Sequence, residues 1–158
     1  MKSDSAEIII ELGDAAATEA LGRDLGRAIK PGHVLALIGE LGSGKTTLVR
    51  GLAAGMGLDP EQVHSPTFTM IQFYPGAPGL YHVDFYRLER PAELEQIGLD
   101  EALEGYDSAC AVEWADKFPA QLPAGRLEIE LCYSGQGRRA LLSPTDSAHV
   151  LLCAAVKA

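Results

Sequence analysis

One short segment carries the residue types that bind the phosphates of a nucleotide. It consists of Gly39, Glu40, Leu41, Gly42, Ser43, Gly44, Lys45 and Thr46, is followed by Thr47, and matches G-x-x-x-x-G-K-[ST] at every fixed position. Glycine lets successive backbone N–H groups turn toward phosphate oxygens without a Cβ in the way. A lysine at this place reaches the β- and γ-phosphates, and the next hydroxyl binds Mg²⁺. We therefore expect residues 39–47 to bind a nucleoside triphosphate and its metal ion.

Two carboxylates follow apolar runs further along the chain. Asp84 comes after LYHV, and Glu113 comes after ACAV. In open α/β sheets the carboxyl ends of the strands face the ligand crevice, where a metal-bound nucleotide needs a carboxylate. Both acids are therefore candidates to hold Mg²⁺ or its waters, with a capping or turn role open for each. His82 shares the strand face of Asp84, and both a packing and a catalytic role are compatible with its position.

A second loop and a single tryptophan complete the candidate set. The segment SPTF contains Ser65, Thr67 and Phe68 and lies between the predicted phosphate-loop helix and the next strand. Switch loops of this type place a threonine that senses the γ-phosphate. By itself SPTF indicates an ordinary proline turn first, and coupling of the nucleotide state to a partner through these residues is the second interpretation. Trp114 directly follows Glu113 and is a core residue, a lid over the nucleotide, or a contact in a complex that joins the SPTF residues in coupling to a partner.

The elements that must position these residues alternate between apolar strands and amphipathic helices. We expect strands at 8–10, 34–38, 67–74, 80–88, 109–114, 126–134 and 140–143, and helices at 15–29, 45–56, 91–105 (broken near Gly98) and 147–158. The 126–134 segment alternates like a half-exposed antiparallel strand. The order predicts an α/β, three-layer P-loop NTPase-like fold. Its central sheet is mixed, mainly parallel and flanked by helices, with an antiparallel hairpin, in one domain over residues 1–158.

Composition restricts the partners and the compartment. The chain has 13 Lys+Arg against 22 Asp+Glu, a net charge of −9, which argues against direct binding of nucleic acid or anionic membranes. Cys110, Cys132 and Cys153 lie in apolar runs without metal-ligand spacing, so we expect reduced, buried thiols in a cytoplasmic protein. The apolar run near the N-terminus is too short for a signal sequence, and no stretch approaches the ~20 residues of a membrane span.

Four motifs in order resemble the TsaE (YjeE) family, the ATPase subunit of bacterial tRNA threonylcarbamoyladenosine synthesis. They are GELGSGKTT, SPTF, H-x-D-x-Y-R-L at 82–88 and VEW at 112–114, and the resemblance extends to about residue 142. Only the first motif is shared with P-loop proteins at large. Two positions depart from the family pattern. Glu40 stands where Asp is more common, and Ala115-Asp116 stand where Pro and Glu are common.

The resemblance implies an ATP- and Mg²⁺-binding protein that hydrolyses ATP slowly alone. TsaB- and TsaD-like partners would work with it to form the threonylcarbamoyl group on adenosine 37 of tRNAs that read ANN codons. It implies Mg²⁺ on Thr46 and Glu113, a part for Asp84 in hydrolysis, in the metal shell or in coupling, and Thr18 beside the adenine. We expect Lys45, Asp84 and Glu113 to be catalytic, tRNA to be contacted through the complex, and the free protein to be a monomer.

Two other functions stay open. A small kinase would need an acceptor pocket and usually an arginine-rich lid, and only Arg87 and Arg90 lie between the two carboxylates. A non-hydrolysing, nucleotide-gated binding module would use the acidic region 91–107 as a docking face, although such charges are usually a solvated surface. The chain lacks the [NT]KxD motif of GTPases and the LSGGQ motif of ABC ATPases.

Overall fold

The computed structural model describes residues 7–156 of the chain. Within them lie the strands β1 (Ile8–Leu12), β2 (Val34–Gly39), β3 (Ile71–Tyr74), β4 (Gly79–Asp84), β5 (Ser108–Glu113), β6 (Leu127–Ser134) and β7 (Gly137–Pro144). The helices are α1 (Ala15–Ala28), α2 (Lys45–Gly55), α3 (Ala92–Gln96), α4 (Leu99–Glu104) and α5 (Ser147–Cys153). The predicted order of elements is therefore present, and the acidic region forms two short helices that are separated at Gly98, where φ is +84°.

The strands form one sheet in the order β1-β7-β6-β2-β5-β4-β3. The four central strands β6, β2, β5 and β4 are parallel, while β7 and β3 pair antiparallel with β6 and β4, and β1 pairs antiparallel with β7. The mixed sheet and its β3–β4 hairpin are confirmed. The expectation for β6 is only half right, since β6 is antiparallel to β7 but parallel to β2. Its alternating pattern reports one buried face and carries no information about which strand lies beside it.

Helices cover both faces of the sheet, as the three-layer prediction requires. Apolar residues of α1 and α2, such as Leu25 and Leu52, share a core cluster with Leu37 of β2. The opposite face is covered by α3, α4 and the short turns after β5, for example through Leu94 and Leu99. The residues that precede α2 are thereby held at the carboxyl end of the central strand β2.

Helices α1 and α2 touch through glycines. A Cβ added at Gly22 would lie 2.3 Å from the carbonyl oxygen of Leu48, and one added at Gly51 would lie 2.2 Å from that of Glu19. Gly26 and Gly55 make equally close approaches one turn further along, so a G-x-x-x-G spacing occurs in both helices. The absence of side chains here lets the two backbones meet directly.

Several predicted boundaries are wrong, and the errors in β3 and β4 have a local cause. Strand β3 begins at Ile71 and not at Thr67, because residues 66–70 form a turn in which the Met70 N–H donates to the Pro66 carbonyl. Strand β4 ends at Asp84 because its carboxylate accepts from the Tyr86 N–H at 2.8 Å and turns the chain. Helix α5 ends at Cys153, whereas the prediction extended it to residue 158; residues 157–158 lie outside the described part.

The cysteine prediction holds for two of three residues. Cys110 and Cys153 are buried free thiols, and burial raises their pKa to about 12 and about 11. Cys132 is only half-buried, because the alternation of β6 places it on the face opposite Leu131. None of the helices in residues 7–156 has the length and apolar character needed to cross a membrane.

Candidate functional site

The glycine-rich loop (residues 39–46) joins β2 to α2 at the carboxyl edge of the sheet. Gly42 and Gly44 have φ values of +78° and +106°, a region in which side chains are strained. Lys45 and Thr46 form the first turn of α2, where backbone N–H groups have no acceptor within the helix and the helix dipole is positive. The loop therefore offers N–H groups to an anion in the way that its sequence predicts.

Lys45 lies buried over this loop. Its Nζ donates to the carbonyl oxygens of Gly39 and Glu40, the latter at 3.0 Å, and it lies 4.1 Å from the centroid of the Trp114 ring. Burial lowers the pKa of Lys45, and the carboxylates of Glu113 and Asp84, together with that of Asp116, oppose this shift. The amine is thus held by weak carbonyl acceptors that an anionic oxygen can replace.

Glu113 meets the loop from the end of β5. Its Oε1 and Oε2 accept from the Thr46 hydroxyl at 3.0 and 3.1 Å, and Oε2 also accepts from Nε2 of His82. Glu113 is 3 % exposed and His82 is fully buried. A hydroxyl and a carboxylate side by side are hard oxygen donors of the kind that Mg²⁺ binds.

Asp84 ends the neighbouring strand and is paired in register with Glu113, so both predicted carboxylates lie at one edge of the sheet. Its Oδ2 accepts from the hydroxyls of Thr67 at 2.9 Å and Ser65 at 3.2 Å. The two hydroxyls are themselves 2.7 Å apart. Asp84 is 1 % exposed, so it faces the SPTF loop and not open solvent. The chain therefore connects this loop to the strand end through a carboxylate.

Most of these groups line a cleft of about 310 Å³, called the main cleft because it holds Lys45, Thr46 and Glu113. It is lined by Leu41, Gly42, Gly44, Lys45, Thr46, Thr47, Ser65, Thr67, Tyr86, Glu113 and Trp114. Trp114 forms a wall of this cleft, with its ring centroid 5.0 Å from that of Tyr86 and the two rings tilted by 43°, while also packing against the core. Phe68 is not brought into the cleft. It is 78 % exposed and lies under the Arg87 guanidinium at 4.1 Å.

A second cavity of about 260 Å³ lies on the other side of the loop. Thr18, which is 2 % exposed, lines it together with Gly44 and Thr47 and so lies beside the glycine-rich loop. Sequence reasoning missed Arg138, which also lines this cavity and donates to the Gly42 carbonyl at 3.2 Å. It missed Tyr133 too, whose hydroxyl donates to the Leu41 carbonyl at 3.3 Å.

Both missed residues stand at the β6–β7 turn, far from the loop in sequence. No local pattern at this turn indicates that it contacts the glycine-rich loop. Tyr86 belongs to the H-x-D-x-Y-R-L motif, which by itself assigns no role to this residue. In the structure it lines the main cleft. Its place there follows from the turn that Asp84 imposes directly after β4.

Comparison with known proteins identifies the family. The family model described as threonylcarbamoyl adenosine biosynthesis protein TsaE matches residues 12–141. The chain belongs to the TsaE family. It is 41% identical to the tRNA threonylcarbamoyladenosine biosynthesis protein TsaE of Bacillus subtilis over 138 residues, which are 86% of this chain and 85% of that protein. It is 40% identical to the TsaE of a Nostoc species over 134 residues, covering 82% and 81%.

The fold is shared with a solved structure. The crystal structure of YdiB from Bacillus subtilis superposes with a TM-score of 0.78 at 32% identity, covering 94% of this chain and 93% of that one. The family match begins in β1 and ends in β7, so it includes the glycine-rich loop, the SPTF loop and both strand-end carboxylates. Membership of the TsaE family places the chain among threonylcarbamoyladenosine biosynthesis proteins.

Proposed function

We propose that this chain binds ATP with Mg²⁺ in the main cleft and hydrolyses ATP slowly, as an accessory subunit of tRNA threonylcarbamoyladenosine formation. Its partners would be TsaB- and TsaD-like proteins, which carry the threonylcarbamoyl group to adenosine 37 of tRNAs that read ANN codons. The observation that carries the proposal is the meeting of Lys45, Thr46 and Glu113 at the N-terminus of α2. The names of the TsaE relatives support a role in tRNA threonylcarbamoyladenosine formation.

The residues present fit a magnesium nucleotide. Thr46 and Glu113 supply hard oxygen ligands within 3.1 Å of each other, and Lys45 supplies a cation. Within residues 7–156 no group of three or more His, Cys, Asp or Glu side chains is arranged to hold a metal ion by itself, so the nucleotide and water would fill the other metal positions. The buried Ser43 hydroxyl has no hydrogen-bond partner in this part of the chain, as expected at a loop that wraps an anion. Bound Mg²⁺ would neutralise charge on the phosphate oxygens.

Each side chain of the site would have a separate role. Lys45 would exchange the loop carbonyls for phosphate oxygens, and Thr46 and Glu113 would hold the metal ion. Asp84 fixes the hydroxyls of Ser65 and Thr67 at the cleft wall, where Thr67 orients a water or reads the γ-phosphate. We propose that the SPTF loop then passes the nucleotide state to a partner.

The intrinsic rate should be low, because no arginine is among the described residues that line the main cleft. A partner would complete the site. Arg87, one of two arginines that could have formed a kinase lid, instead stacks on Phe68, so the kinase alternative gains no support. We further propose that the protein works in the cytoplasm, is a monomer when free, and leaves contact with tRNA to the complex, in agreement with its charge of −9.

A reconstitution tests this function. Purified chain, TsaB- and TsaD-like proteins and tRNA are combined with ATP and with an activated threonylcarbamoyl donor, made in the same mixture by a separate enzyme from threonine, bicarbonate and ATP, and modified adenosine is measured by nucleoside mass spectrometry. Lys45→Ala should abolish both ATP binding and modification, whereas the exposed control Lys30→Ala should match the wild type. Normal modification with Lys45→Ala would show the proposal to be wrong.

A further inference from the structure

His82 has no part in the function proposed above, although it lies against the site. It stands on β4, two residues before Asp84 and on the same face of the sheet, and it is completely buried. Its Nε2 contacts the Glu113 carboxylate, which only accepts hydrogen bonds, so Nε2 carries the proton and donates. His82 therefore bonds a candidate metal ligand without reaching the cleft, whose lining does not include it.

The other ring nitrogen argues against a packing role. Nδ1 of His82 is buried and has no hydrogen-bond partner in the described part of the chain. An unsatisfied buried acceptor destabilises a fold, and an apolar side chain of similar size would avoid that cost. The bond to Glu113 is thus the one polar contact of this ring that the structure shows, and it is the feature an apolar residue could not supply.

We propose that His82 is a positioning residue that orients the Glu113 carboxylate for Mg²⁺. The inference rests on the proposed function and deepens it. Thr46 contacts both carboxylate oxygens from α2, whereas His82 bonds Oε2 alone from β4. The carboxylate is therefore fixed from two elements, and among the described residues Oε1 has the Thr46 hydroxyl alone as its hydrogen-bond partner. Partners of this kind around a metal ligand typically change metal affinity by about 10- to 100-fold when they are removed.

Three substitutions separate positioning from packing. His82→Gln places an amide N–H₂ near the position of Nε2 and keeps the donor to Glu113. His82→Asn places its amide near Nδ1, too far back to reach Glu113, at a similar polarity. His82→Leu keeps apolar bulk and removes the donor. Because Gln and Asn are both polar and uncharged, their comparison decides the question even if the Leu variant does not fold.

The assay uses Trp114, the only tryptophan, which lines the main cleft. Its fluorescence is followed while Mg²⁺ is titrated at a fixed saturating ATP concentration, and separately while ATP is titrated in EDTA. We expect His82→Leu and His82→Asn to raise the Mg²⁺ concentration for half-maximal change by about 10-fold or more. Affinity for ATP in EDTA should be unchanged, and His82→Gln should stay close to the wild type in both titrations.

The outcomes that overturn the proposal are distinct. Equal Mg²⁺ dependence of the Gln and Asn variants would contradict a donor at Nε2, as would a wild-type Mg²⁺ dependence for a folded Leu variant. A parallel loss of ATP affinity in EDTA would indicate a structural role. If the fluorescence of the wild type itself shows no response to ATP and Mg²⁺, the proposed function is contradicted, and the role of His82 is contradicted together with it.

Discussion

The glycine contact between α1 and α2 gives a stability test whose sign is decisive. In Gly51→Ala the new Cβ would lie 2.2 Å from the carbonyl oxygen of Glu19 and 2.9 Å from its Cα. Both are backbone atoms, so no side-chain rotation relieves the contact and the helices must separate. Overpacking of this kind costs about 3 kcal/mol. The better helix propensity of alanine offsets about 1 kcal/mol of this.

The net loss of about 2 kcal/mol corresponds to a Tm lower by about 4–8 °C for a chain of this size. Thermal unfolding is followed by circular dichroism without nucleotide, so that ligand binding does not contribute. Gly13→Ala is the matched control and should leave Tm nearly unchanged, because no atom lies within 4 Å of its added Cβ. A Tm raised by about 2–4 °C in Gly51→Ala would show that propensity alone acts and that the close approach is wrong.

Three further predictions concern the strand end, a buried histidine and the thiols. Asp84→Asn weakens the acceptor that positions the Thr67 hydroxyl. ATP turnover in the complete mixture should fall by about 100-fold, the typical effect of a misplaced group, while ATP affinity, measured by Trp114 fluorescence, is retained; unchanged turnover would exclude a role for this carboxylate. Burial lowers the pKa of His33, so the unfolded chain takes up the proton first and stability should decrease as the pH falls below 6.5. His33→Asn should flatten this part of the Tm–pH curve, and an equally steep curve would refute the assignment. N-ethylmaleimide should modify the half-buried Cys132 of the native protein, with the other two cysteines reacting only after unfolding; mass spectrometry of the peptides decides, and early labelling of a core thiol would contradict the packing.

The features that could be predicted from the sequence are those that depend on residue types close together in the chain. The glycine-rich loop follows from residue types at fixed spacing, because the backbone conformation that wraps an anion needs glycine at particular positions. Asp84 and Glu113 follow from a rule about strand ends, and the structure pairs them in register. Helix α1 follows from its apolar spacing and from Asp14, whose side chain accepts from the Ala17 N–H as a cap.

The features that sequence missed depend on which strands become neighbours. The His82–Glu113 contact joins β4 to β5, and the Arg138–Gly42 contact joins the β6–β7 turn to the loop. Neither pairing is encoded in the pattern of the strands concerned. The helix contact is different, since glycines four residues apart at 22 and 26, and at 51 and 55, were visible in the sequence. The apolar stripe of each helix predicts the helix itself but not how closely its backbone approaches the neighbouring helix.

The most direct test of the central claim is steady-state ATP hydrolysis by the chain alone and with TsaB- and TsaD-like proteins and tRNA. Phosphate release is measured for the wild type and for Lys45→Ala under both conditions. We predict slow release by the wild type alone, clear stimulation in the complete mixture, and no release above background by Lys45→Ala in either. A rate that is the same with and without the partners, or a Lys45→Ala variant as active as the wild type, would contradict an ATPase that acts within a tRNA-modification complex.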